Sequence, residues 1–241
     1  MIHLHRMNKK SKIAFLSLLA LLLLPLAAHA ARDTSLLTMP TTSKNVAFIF
    51  HKLANRKPEF DRAIRDSAEF KSAPASEQEK ILDLEERKLA IEFANIDPKR
   101  EVIVARSAVE LEVNTINNPG LKVKLPGTQG SALYFPYSWA GQDFALIPDQ
   151  FDLFLNLPMT QVEASAASAR IGGGAATMVV ELRAIAADGN RQMVLDGMPQ
   201  WLLMTKVLAV TFYNQYLETI WSWQSPDYKR PGSGTLQSLK K

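Results

Sequence analysis

Residues 109–125 read VELEVNTINNPGLKVKL. Val109, Leu111 and Val113 alternate with Glu110 and Glu112, and Leu121, Val123 and Leu125 alternate with Lys122 and Lys124. Successive side chains of a strand point to opposite faces, so each run carries one apolar and one charged face. Asn117-Asn118-Pro119-Gly120 between them is turn chemistry. The stretch predicts an antiparallel hairpin with its apolar face on a core and Glu opposite Lys on the wet face. No helix accommodates this period of two, so the second half of the chain is built on a sheet.

Working downstream, Phe151, Leu153, Leu155 and Leu157 alternate as a further strand closed by Pro158. Thr160-Gln161-Val162-Glu163 is a capping box, in which each side chain satisfies the other residue's free backbone N–H. It opens a short Ala-rich helix over 161–171, with Val162, Ala166 and Ala169 on one face and Gly172-Gly173-Gly174 at its end. Thr177–Ala187 is the next strand, Asp188-Gly189-Asn190 a turn, Gln192–Leu195 a short strand and Asp196-Gly197 a second turn. Trp201–Tyr213 is apolar on both faces, which places it at the centre of a sheet. Leu217, Thr219, Trp221 and Trp223 alternate in a final strand, and residues 226–241 have the Pro/Gly/Ser-rich composition of a disordered tail.

Upstream of the hairpin the period is helical. Val46, Phe50 and Leu53 share one stripe, and Phe60, Ile64 and Ala68 a second after Pro58. Ser76-x-x-Glu79 reads as a capping box opening the longest helix, 76–95. Its seam is Leu82, Leu89 and Phe93, widened by Ile81, Leu84 and Ile91, and it stops before Pro98. The expected fold is therefore α+β: an N-terminal helical region packed on a mainly antiparallel sheet with one short inserted helix. The divisions are a lead-in segment 31–45, a helical region 46–97, a β region 98–225 containing the helix at 161–171, and the tail 226–241.

The first thirty residues belong to a different class. Arg6, Lys9, Lys10 and Lys12 precede an unbroken apolar run from Ile13 to Leu24, Pro25 ends it, and Ala28-His29-Ala30 precedes Ala31. A basic start, an apolar core and a small-x-small site form a bacterial-type secretory signal peptide over 1–30, cleaved between Ala30 and Ala31. Cleavage leaves 211 of the 241 residues. The chain's 28 Lys+Arg less these four gives 24, matching its 24 Asp+Glu, so the mature net charge is zero. Nucleic-acid binding, which needs a basic surplus on one face, is thereby disfavoured. No further apolar run approaches the ~20 residues of a membrane-spanning helix, so no transmembrane segment is expected in the mature chain. There is no cysteine, and His51 is the one histidine outside the signal. A disulfide, a Cys/His zinc site and a lipoprotein anchor all fall away.

The candidate chemistry is sparse. His51 has no neighbouring carboxylate to orient it and reads as a surface or boundary residue rather than a catalyst. Residues 134–144 (YFPYSWAGQDF) are the densest aromatic stretch, and Tyr134, Tyr137, Trp139 and Asp143 are its candidate ligand contacts. Trp221 and Trp223 point the same way on a regular strand and suit a flat ligand or a protein interface. Asp143, Asp149 and Asp152 form a loose acidic trio but match no calcium loop. No phosphate loop, nucleophile elbow or metalloprotease helix occurs. No catalytic residue, metal or cofactor is assigned. The expectation is an exported, non-enzymatic module of the periplasm or medium that binds another envelope protein or a cell-wall component. The alternative is a carboxylate-dependent hydrolase of cell-wall or other glycans using the aspartates, with Tyr134 to Trp139 stacking the sugar.

Overall fold

A computed structural model describes residues 39–125, 133–172 and 175–230. The signal peptide with its Ala30–Ala31 site, most of the lead-in segment and residues 231–241 of the tail lie outside the described residues. In chain order the elements are α1 (Ser43–Leu53), α2 (Phe60–Arg65), α3 (Ala68–Ser72), α4 (Ala75–Asn95), β1 (Ile103–Asn114), β2 (Gly120–Lys124), β3 (Phe135–Trp139), β4 (Gln142–Pro148), a 3-10 turn Phe151–Phe154, β5 (Asn156–Pro158), α5 (Gln161–Ile171), β6 (Ala176–Ala187), β7 (Met193–Leu195), β8 (Met198–Tyr213) and β9 (Thr219–Gln224). The class is α+β, with five helices and a mixed sheet of nine strands among the described residues.

The main strand order is β3-β4-β8-β6-β1-β2-β5, with β7 and β9 also pairing β8. All pairs are antiparallel except β4–β8. The β1–β2 register sets Glu110 opposite Lys124 and Glu112 opposite Lys122, while Leu121 and Val123 are buried. The long β8 is the central strand, bonded along one side to β6 and along the other first to β4 and then to β9. Asp196 and Gly197 both have positive φ, at 50° and 81°, as a two-residue primed hairpin turn between β7 and β8 requires. The path ends on β3 and β5, which carry Pro136 and Pro158. Proline has no N–H to offer a further strand, so both ends are poor templates for edge pairing.

α1 is buried along six consecutive residues, Val46 to His51. A helix buried all round needs a layer on each side. Val46, Ala47, Ile49 and Phe50 join the main core above the sheet, with Ile103, Leu146, Val180, Leu203 and Phe212. Phe48 points the other way, into a second cluster with Phe60, Ile64 and Phe70, against which Leu82, Leu89 and Phe93 of α4 pack. The stack is thus sheet, α1, and an outer layer of α2 to α4.

Five expectations are corrected. α4 begins at Ala75 with Pro74 as its N-cap and no side-chain cap bond. Ser76 therefore sits inside the first turn, where its hydroxyl no longer reaches a free N–H. Leu84 and Ile91 do not widen the seam and are each 64% exposed, because two residues on from Leu82 and Leu89 is about 200° around a helix. The strand read over Phe151–Leu157 is instead a 3-10 turn followed by the three-residue β5. Phe151 and Phe154 stack three apart into the core, and Leu153 is left outside. In α5 the capping box of Thr160 and Glu163 forms and Gly172 ends the helix at φ 60°. However, the packed side chains are Ala164, Ala167 and Ile171, and Val162 is exposed.

The fifth correction concerns the tail. Residues 226–230 fold back over the face of the sheet opposite α1. Tyr228 is buried with Leu208, Ala209 and Val102, and its hydroxyl donates to Glu181 Oε2 at 2.5 Å. Glu181 is itself buried in β6 and pairs through Oε1 with Arg230 at 2.5 Å. A carboxylate is tolerated there because each oxygen has a partner. Burial and the Glu181 bond push the Tyr228 hydroxyl well above its usual range. Tyr228→Phe leaves one buried carboxylate oxygen unsatisfied and is expected to cost about 1–3 kcal/mol, read from the urea midpoint at unchanged slope.

Candidate functional site

The structure does not gather the aromatic and acidic candidates into one site. Tyr134 is a latch: its hydroxyl donates to Asp196 Oδ2 at 2.7 Å and accepts from Gln200 Nε2 at 3.2 Å, tying the start of β3 to the β7–β8 hairpin. The Asp196 bond raises its pKa. Tyr137 lines a cleft of about 580 Å³ with Arg106, Ser107, Leu125 and Leu133, and burial pushes its hydroxyl up to about 12. Trp139 lies edge-on to Phe48 at 5.3 Å. Trp221 packs on Phe212 at 5.7 Å and Trp223 on Phe154 at 4.9 Å. These indoles seal the rim of the core.

Asp143 stands apart from the other two aspartates. Asp143 accepts a hydrogen bond from Ser138 across β3–β4. Asp149 follows the other end of β4, six residues on, which at the ordinary strand rise is about 20 Å away. A glycosidase pair stands roughly 5–10 Å apart. Asp149 and Asp152 are exposed in the turn and the 3-10 turn after β4. Among the described residues no group of three or more His, Cys, Asp or Glu is placed to hold a metal ion.

His51 is not a surface residue. It is 1% exposed, packed between the rings of Phe50 and Phe144 at 5.4 and 6.1 Å. Neither ring nitrogen makes a hydrogen bond of normal geometry, and Gln142 Oε1 beside it is equally unsatisfied. Burial, followed by the Arg56 charge, lowers its pKa from 6.5 to about 4, so the imidazole is neutral at physiological pH. It serves as packing.

What the sequence reading missed is the second face of the sheet. Phe144, Leu146 and Leu203 point to α1, so by alternation Ala145 and Ile147 of β4 and Met198, Gln200, Leu202 and Met204 of β8 point away. Ala186 of β6 stands opposite Met204, while Met193 and Leu195 of β7 stand opposite Gln200 and Met198. Apart from Gln200, which is held by Tyr134, this region is apolar. The two helices packed on the sheet, α1 and α5, both join the core on the other side. Met193 and Met198 are 49% and 54% exposed, and Leu202, Met204 and Ile147 are half-buried. An apolar sheet face of this kind is normally covered by another layer. The one sequence clue was that Trp201–Tyr213 is apolar on both sides.

Comparison of the chain with protein-family profiles, with curated proteins and with solved structures finds no match. Among the described residues no helix is long and apolar enough to cross a membrane.

Proposed function

We propose that the chain is an exported, non-catalytic interaction module that docks a protein of the cell envelope on the apolar face formed by β4, β7, β8 and the end of β6. The observation that carries this reading is that face itself, rich in methionine and with no helix packed on it among the described residues, on a sheet whose other face is doubly layered. Contiguous exposed apolar surface on a soluble fold marks a binding site more often than it is incidental. Methionine is adaptable and recurs on surfaces that accommodate a partner's side chains. Export rests on the residue order of 1–30. The hydrolase alternative draws no support from aspartates spread along β4 and the turn beyond it.

Site-specific photo-crosslinking in cells tests both halves. A photoreactive residue at Met198 or Met193 is expected to give a protein adduct recovered from the periplasm or medium, and one at Lys80 on the outside of α4 is not. Adducts from α4 with none from the sheet face would overturn the docking reading. Protein confined to the cytoplasm would overturn export.

A further inference from the structure

We infer that the cleft between the edges of β1 and β3 binds a small amphipathic anion, an apolar body ending in one carboxylate, whose head group is held by Arg106 and the Tyr137 hydroxyl. This does not depend on the docking reading and concerns a different part of the sheet.

The cleft exists because two strand edges line it without pairing. β1 bonds β6 through Ile103 to Val109 but meets β2 only from Glu110 onward. At Arg106 and Ser107 its other edge therefore has no strand beside it among the described residues. β3 ends the strand path and carries Pro136, which has no N–H for a further strand. The lead-in joins the β1 edge two residues earlier, where the Thr41 N–H donates to the Val104 carbonyl and the Val104 N–H donates to Thr41 Oγ1, both at 2.9 Å. The space left is about 580 Å³, inside the ~300–1000 Å³ of small-molecule sites. Leu125, Leu133 and Phe135 give it apolar walls backed by the main core.

The polar groups of the lining decide what it takes. The Tyr134 hydroxyl is committed to Asp196 and Gln200, and Ser107 Oγ donates to the Ala108 carbonyl at 3.1 Å. The Tyr137 hydroxyl makes no hydrogen bond among the described residues, and burial alone pushes its pKa up to about 12. A desolvated donor of this kind gains from an acceptor that arrives with a ligand. Arg106 is exposed and makes no ion pair among the described residues. The acids of its own strand face are engaged elsewhere. Glu110, four residues on, stands opposite Lys124, and Glu181, diagonal to Arg106 across β6, is held by Tyr228 and Arg230. No carboxylate lines the cleft. One guanidinium and one donor at an apolar cleft select an anion, and the guanidinium fork matches a carboxylate.

The probes are decanoate, decylammonium and acetate, titrated into the purified chain and followed by amide chemical-shift mapping. Decanoate is expected to give saturable shifts at residues 106–107 and 133–137. Decylammonium, with the same apolar body, should bind at least about tenfold more weakly, and acetate should not bind. Arg106→Gln should weaken decanoate by about tenfold without weakening decylammonium, and the difference should shrink as salt rises. Tyr137→Phe keeps the ring and should weaken decanoate by about threefold. Neither side chain makes a polar bond within the described fold, so both variants should keep the wild-type melting curve. No saturable shift, equal affinity for decanoate and decylammonium, shifts centred on Met193 and Met198 in place of the cleft, or decanoate binding indifferent to Arg106→Gln would each overturn the inference.

Discussion

Phe48→Ala is expected to destabilise the fold by about 3–5 kcal/mol, the upper range for a truncated core residue. Phe48 is fully buried, and its ring meets Phe60, Phe93 and Trp139 edge-to-face at 5.9, 5.4 and 5.3 Å. Those three rings come from α2, α4 and β3, so one side chain joins the outer helices both to α1 and to the rim of the sheet. α4 has no fully buried residue of its own and packs on this cluster through the half-buried Ile81, Leu82, Leu89 and Phe93. Its polar ties include the exposed Lys57–Glu86 contact, the Lys44–Glu92 pair, the bond from Lys52 Nζ to the Ala94 carbonyl and those from Gln78 Nε2 to the Phe70 and Ala73 carbonyls. Exposed pairs of this kind contribute little. Urea unfolding followed by tryptophan fluorescence gives the loss. Native-state hydrogen exchange should show α4 amides losing more protection than those of β6 and β8. A loss below about 1 kcal/mol, or uniform loss of protection, would mean that the outer layer is held by something other than this cluster.

Acidification provides the second large effect. His51 has a pKa of about 4 in the folded chain against 6.5 when unfolded. Between these values the unfolded chain binds the extra proton, so stability rises with pH through the window and falls as pH drops from 6.5 towards 4. At pH 5 the contribution is about 2 kcal/mol of lost stability relative to pH 7.5. Arg56 opposes protonation and Glu59 and Gln142 favour it, but burial dominates. Carboxylates titrate in the same range, so the measurement is a difference. Unfolding free energies of the wild type and of His51→Leu at pH 7.5 and pH 5 should diverge, with the variant losing about 2 kcal/mol less. Parallel losses in the two proteins would show that the imidazole is solvated or finds a hydrogen-bond partner on protonation.

Neither effect was legible in the sequence. Phe48 lies off the stripe of Val46, Phe50 and Leu53 and would face water on a two-layer fold. His51 follows directly on apolar residues, which suits a helix boundary as well as an interior. Both positions depend on a third layer above α1, and no local pattern announces how many layers a helix meets. The same holds for the aspartates and tryptophans. Spacing can suggest a constellation, but only the path of β4 separates Asp143 from Asp149, and only the core behind β9 turns Trp221 and Trp223 into packing.

By itself the sequence determined what local periodicity and backbone chemistry can determine. The hairpin at 109–125, with Glu against Lys, follows from a side-chain period of two. The cap at Thr160 and Glu163 follows from free N–H groups at a helix start, and the turn at Asp196-Gly197 from the positive φ it needs. The central place of β8 follows from apolar residues on both of its faces. The tertiary structure decided which apolar faces find cover. It buried His51, paired Glu181 with Tyr228 from a segment that reads as disordered, bent Phe151–Phe154 out of a strand, and left Met198, Leu202 and Met204 with no helix over them among the described residues. The physical reason is that burial is a relation between segments distant along the chain, whereas propensity and capping act within a few residues of one another.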